Sequence, residues 1–194
     1  MKKLVLTTLI GAALGFATQS AFADDSTPPE GATGLLTAKG KVVDTTCTVT
    51  GTNGPNIIVE LPTVPTSMLN SKGKTAGDTS FTIKLSDCTS ASNQLSDNAR
   101  AIFYKDENVT TEGHLVNQAT GSKAVNVNVQ LATVSGKKID PNKQAKDQGA
   151  DSYAINKSGT TGSATLVYKV RYVAEGPAES GEVLAKVKYL VDYM

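Results

Sequence analysis

The sequence is short of the residues that carry most enzyme chemistry. In 194 residues it has one histidine, His114, and two cysteines, Cys47 and Cys88. His114 sits in Glu112-Gly113-His114, a turn-like setting that suits a surface residue better than a general base. There is no Gly-x-Ser-x-Gly elbow and no His-Glu-x-x-His pair, and Gly73-Lys74-Thr75 is not a phosphate loop because Met68 stands where the first glycine belongs. A metal held by the cysteines would need further Cys or His ligands. No enzyme activity, cofactor, metal or small-molecule substrate is therefore expected.

An excess of charge of either sign is also missing. Lys and Arg number 19, Asp and Glu 18, for a formal net charge of +1, so nothing calls for a nucleic-acid partner. The pairs Lys137-Lys138 and Lys143 with Lys146 have Asp140 and Asp147 among them and read as a solvated face. Two stretches, Asn108-Val109-Thr110 and Asn156-Lys157-Ser158, fit the glycosylation acceptor pattern, which is common by chance.

Long apolar runs are absent except at the start. Lys2 and Lys3 precede an apolar stretch from Leu4 to Phe16, followed by Ala21-Phe22-Ala23. That order reads as a secretory signal peptide over residues 1–23, and the run is shorter than the ~20 residues a membrane anchor needs. The mature chain then starts at Asp24, stays near neutral charge and is one domain in size. Export to an oxidising compartment makes a Cys47–Cys88 disulfide the default reading, and closing a loop of that length stabilises a fold by about 4 kcal/mol in the chain-entropy model.

What is present is β-pattern. Short alternating runs bounded by Gly, Asn, Asp, Ser and Pro predict strands at Gly40 to Val43, Asn56 to Leu61, Thr79 to Leu85, Ala99 to Tyr104, Val125 to Leu131, Thr165 to Val173 and Val183 to Tyr193. That number of short strands predicts an all-β sandwich. Ser135 to Thr161 reads as a polar excursion with one weak strand near Tyr153 to Ile155.

The ends behave differently. Asp24 to Gly34 carries Pro28, Pro29, Gly31 and Gly34 and no large apolar residue to fasten it to a core. It leads into a stretch with Ala32, Gly34, Leu36, Ala38, Gly40 and Val42 in one phase, a small apolar face suited to a groove, although Leu35 beside Leu36 leaves the register open by one. At the other end Val183, Ala185, Val187, Tyr189, Val191 and Tyr193 alternate to within one residue of Met194. An apolar strand with no strand after it predicts an open edge that invites strand addition from another chain.

Four features together resemble the pilins of the chaperone-usher pathway, the family of type 1 and P pili. They are the strand Lys39-Gly40-Lys41-Val42-Val43-Asp44-Thr45-Thr46-Cys47, the segment Leu85-Ser86-Asp87-Cys88, the segment Tyr168-Lys169-Val170-Arg171-Tyr172-Val173-Ala174, and the C-terminal pattern of Gly181, alternation from Val183, and a penultimate Tyr193. The resemblance implies an incomplete immunoglobulin-like β-sandwich lacking its last strand, with a donor-strand extension over 24–38 and a pilin domain over 39–194. It implies Ala32, Gly34, Leu36 and Ala38 as donor residues, and Gly181, Val183, Ala185, Val187, Tyr189, Val191 and Tyr193 as the acceptor groove and C-terminal motif. Implied partners are identical or homologous pilin subunits, a periplasmic chaperone and an outer-membrane usher. The implied product is an extracellular fimbria that supports adhesion and biofilm formation. Two alternatives stand beside the repeating subunit: a minor adaptor or terminating pilin, and a monomeric secreted β-sandwich binding module.

Overall fold

Two long strands, each apolar on alternate residues, set the frame. In Thr161–Ala174 the first six residues alternate exposed and buried, and the middle of Thr75–Ser90 alternates exposed with buried or half-buried. The computed structural model describes Thr37 and residues 42–50 and 54–194. All strands among the described residues lie in the unit Lys41–Met194. In chain order they are β1 (Thr45–Thr50), β2 (Thr75–Ser90), β3 (Asn98–Phe103), β4 (Val127–Thr133), β5 (Lys138–Ile139), β6 (Tyr153–Ala154), β7 (Asn156–Ser158), β8 (Thr161–Ala174) and β9 (Tyr189–Tyr193). Two 3-10 turns, Thr66–Leu69 and Ala145–Asp147, complete the set among the described residues.

The strands form two antiparallel sheets. One has the order β1-β2-β8-β4-β5, with β7 also pairing β8, and the other has the order β6-β3-β9. Ile83, Leu85, Phe103, Leu131, Leu166 and Tyr168 fill the space between them. This is the expected all-β, immunoglobulin-like sandwich. Tyr168 is its hub: the ring is fully buried and meets Phe103 and Tyr153 edge-on at 5.8 and 5.7 Å. Its hydroxyl accepts from the Ala101 N–H at 3.0 Å and donates to the Asp151 carbonyl at 2.8 Å. The Cys47–Cys88 disulfide is formed, and a register shift between Leu85 and Cys88, with Asp87 at φ 50°, places Cys88 in the core.

One edge of the smaller sheet is closed by a side chain. β6 pairs only with Asn98 and Ala99 of β3. Beyond it the buried Gln148 carboxamide accepts from the Phe103 N–H at 3.0 Å and donates to the Phe103 carbonyl at 2.7 Å, taking the place of a neighbouring strand.

Several expectations need correction. Val42 and Val43, the described part of the Gly40 to Val43 stretch, lie outside any strand, and pairing begins at Thr45, where the Asp44 carboxylate accepts from Ser90 Oγ and the Ser92 N–H, both at 2.7 Å, and fastens the chain to the end of β2. Val125 is exposed because Asn126 takes a left-handed backbone (φ 59°), so β4 starts at Val127. The polar excursion holds three short strands rather than one weak strand, and its Ile139 is fully buried. His114 is not a surface residue: it is buried. The signal peptide of residues 1–23 and the donor residues Ala32, Gly34, Leu36 and Ala38 lie outside the described residues.

Candidate functional site

Two apolar segments that alternate like strands find no strand partner between them. Asn56 to Leu61 keeps Ile57, Val59 and Leu61 half-buried and turns Ile58 outward at 75% exposure, yet it joins neither sheet. On the other side, Val183, Ala185 and Val187 are half-buried while Leu184, Lys186 and Lys188 are exposed, and pairing with β3 starts only at the Tyr104 N–H to Lys188 carbonyl bond of 2.9 Å. Between these walls runs a groove of 1060 Å³. Phe81, Phe103, Leu131 and Val170 contribute to its floor.

The backbone of the second wall is one-sided. Glu182, Leu184 and Lys188 use their peptide groups on Ser122, Ala124, Gln118 and Tyr104. In an extended chain the next residue's N–H and C=O point to the opposite edge. Those of Val183, Ala185 and Val187 have no hydrogen-bond partner among the described residues, and β9 continues the same edge of the smaller sheet. The groove thus offers both an apolar trough and a row of unpaired peptide groups, which is what an added strand requires.

The predicted C-terminal residues divide. Gly181, Val183, Ala185, Val187 and Tyr189 line the groove. Val191 and Tyr193 lie past it, packed on the core, where the Tyr193 hydroxyl accepts from the Cys47 N–H at 3.1 Å. The Tyr189 hydroxyl spans the groove end and donates to the Pro55 carbonyl at 2.7 Å. Burial raises both tyrosine hydroxyls above their usual pKa. Sequence reasoning read Ile57, Val59 and Leu61 as an ordinary strand; their alternation was visible, but the missing partner was not.

A polar chain backs the groove. Arg171 donates through Nε and Nη2 to Gln130 Oε1 at 2.9 and 2.6 Å, which turns the Gln130 amide nitrogen to His114 Nε2 at 3.1 Å. His114 Nδ1 then donates to Glu175 Oε1 at 2.6 Å, and Asn128 joins the same carboxylate to the backbone of Asn117. Both ring nitrogens of the single histidine are engaged within the fold. No group of acidic, histidine or cysteine side chains suited to a metal occurs among the described residues.

The family model described as fimbrial protein matches residues 36–194. The chain belongs to the fimbrial protein family. The F17 fimbrial protein of Escherichia coli is 40% identical to the subunit over 162 residues, covering 82% of this chain and 87% of that protein. The major fimbrial subunit SMF-1 of Stenotrophomonas maltophilia is 36% identical, covering 84% and 93%. A major fimbrial subunit of Haemophilus influenzae is 33% identical across 100% of both chains. Among solved structures, a chaperone-usher pilus subunit aligns with TM-score 0.54 at 15% identity, over 87% of this chain and 99% of that one. The P pilus rod subunit PapA aligns with TM-score 0.53 at 13% identity, over 76% and 99%. The subunit therefore has the fold of chaperone-usher pilins and is a structural component of an exported surface fimbria.

Proposed function

We propose that the subunit polymerises by donor-strand exchange. The observation that carries this reading is the groove walled by Ile57, Val59 and Leu61 on one side and Val183, Ala185 and Val187 on the other, with unpaired peptide groups along the second wall. The donor is residues 24–38 of the next copy, which present Ala32, Gly34, Leu36 and Ala38 on one face. Burying four or five small side chains removes about 300 to 400 Å² of apolar surface, worth on the order of 8 to 10 kcal/mol before ordering costs. The pairing of peptide groups along the edge adds to this.

On this reading residues 1–23 direct export, a periplasmic chaperone covers the groove until assembly, and an outer-membrane usher brings donor and acceptor together. The subunit occupies the repeating position of the fibre, as its relatives named major subunits do, and the fibre supports adhesion and biofilm formation. Deleting Asp24 to Ala38 tests the assignment. The truncated subunit is expected to accept a donor but not to donate, so that chains stop at its position. Long SDS-resistant, heat-labile chains of truncated subunits would exclude the extension as donor. The absence of any such ladder from the intact subunit would favour a monomeric module.

A further inference from the structure

The half of the groove wall nearest Gly181 is not backed by a strand. Pairing with β3 reaches only to Lys188, six residues short of Glu182. Its place is taken by the Ser122 to Ala124 backbone, which makes a single parallel bridge to Glu182, and by Asn117, which is 1% exposed and grips both Glu182 and Leu184. Asn117 Oδ1 accepts from the Leu184 N–H and the Ala119 N–H, both at 3.0 Å. Asn117 Nδ2 donates to the Glu182 carbonyl at 3.0 Å and the Ala124 carbonyl at 3.3 Å. The amide is thereby saturated, and the adjacent Gln118 N–H donates to the Leu184 carbonyl at 2.6 Å.

Glu182 and Leu184 flank Val183, whose side chain lines the groove and whose peptide groups face the open edge. A fully satisfied buried amide that grips both neighbours holds Val183 extended before anything occupies the groove. Pre-organisation of this kind lowers the ordering cost of the strand that arrives.

We propose that Asn117 is the positioning residue of the acceptor edge: it stands in for a strand neighbour and keeps residues 182–184 ready to pair with a donor. The proposal rests on the donor-strand reading given above. It separates two roles within the groove, since the apolar floor supplies burial while Asn117 supplies edge geometry at the Gly181 end.

The test uses the full mature chain and follows growth of the SDS-resistant ladder beside the urea unfolding midpoint, for Asn117→Ala, Asn117→Asp and Tyr168→Phe. The last variant is the stability control, because it removes one buried and one partly buried hydrogen bond away from the groove lining. The expected result is ladder growth about tenfold slower for Asn117→Ala than for Tyr168→Phe at equal fractional stability, set by adjusting urea. Amide exchange in the unpolymerised protein should be faster at Leu184 in Asn117→Ala and unchanged there in Tyr168→Phe. Asn117→Asp, which keeps the acceptor for Leu184 and loses the donor to Glu182, should fall between, and it carries the comparison if Asn117→Ala does not fold. Equal slowing in the Asn117 and Tyr168 variants would reduce Asn117 to a stability residue and overturn the proposal. A wild-type chain that builds no ladder would overturn the donor-strand reading itself, and the proposal with it.

Discussion

Gly181→Ala puts the most demanding packing contact of the groove wall to the test. A Cβ at this position would lie 2.4 Å from the Ala124 nitrogen and 2.5 Å from both the Lys123 carbonyl carbon and the Ser122 oxygen. All three are backbone atoms, so no side-chain rotation relieves the overlap, and the wall must retreat. Retreat strains the Glu182 N–H to Ser122 carbonyl bond of 2.7 Å and the Ala124 N–H to Glu182 carbonyl bond of 3.0 Å. Overpacking costs about 1–3 kcal/mol and the two hydrogen bonds, weakened rather than lost, about 1 kcal/mol between them, so a loss of about 2–4 kcal/mol is expected. At a urea dependence of about 2 kcal/mol per molar, the unfolding midpoint should fall by about 1–2 M. Gly176→Ala is the control, because its Cβ would come no closer than 3.3 Å to the movable Asn126 amide. If Gly181→Ala unfolds within about 0.5 kcal/mol of wild type, the ordinary scatter for surface changes, the reasoning is refuted.

Two further outcomes follow from the core. Replacing Cys47 and Cys88 together by serine opens a cross-link between residues 41 apart and should lower stability by about 4 kcal/mol, read by denaturation of the variant beside oxidised wild type. Burial pushes the Tyr168 hydroxyl up to about 12, and Tyr153, Tyr172, Tyr189 and Tyr193 are also raised by burial. An unfolded tyrosine loses its proton near about pH 10, so this contribution to stability is complete below that pH and is lost as pH rises toward about 12. Urea midpoints should hold level up to about pH 9 and fall through pH 11. Tyr168→Phe should lower the midpoint at neutral pH, by leaving the Ala101 N–H and Asp151 carbonyl without that partner, and should flatten part of the alkaline fall.

The long strands were legible because their burial follows the period of two that a half-buried sheet imposes. Phe81-Thr82-Ile83-Lys84-Leu85 shows it in sequence, and β2 bears it out in space. Val183 to Tyr193 was legible as an alternating segment, but only Tyr189–Tyr193 is paired as a strand, since periodicity reports a face and not a partner. The fully buried Ile139 was hidden because a two-residue strand inside a polar stretch is too short to show a period. His114 and Asn117 were missed for a different reason. Each is buried through hydrogen bonds to residues 61 to 67 positions away, Glu175 for the histidine and Leu184 for the asparagine, and nothing local announces such partners.

Gln148 bears on how many neighbours a subunit can take. A sheet with two bare edges is a branching point, and copies that add to either side build a mesh. Here one edge of the smaller sheet is occupied by a carboxamide that satisfies both peptide groups of Phe103, and the opposite edge, along Val183 to Val191, is left open. On the donor-strand reading that sheet has a valence of one. A growing fibre then extends as a line, and Gln148 enforces the count together with β6 and the Tyr168 hydroxyl, which takes the Ala101 N–H.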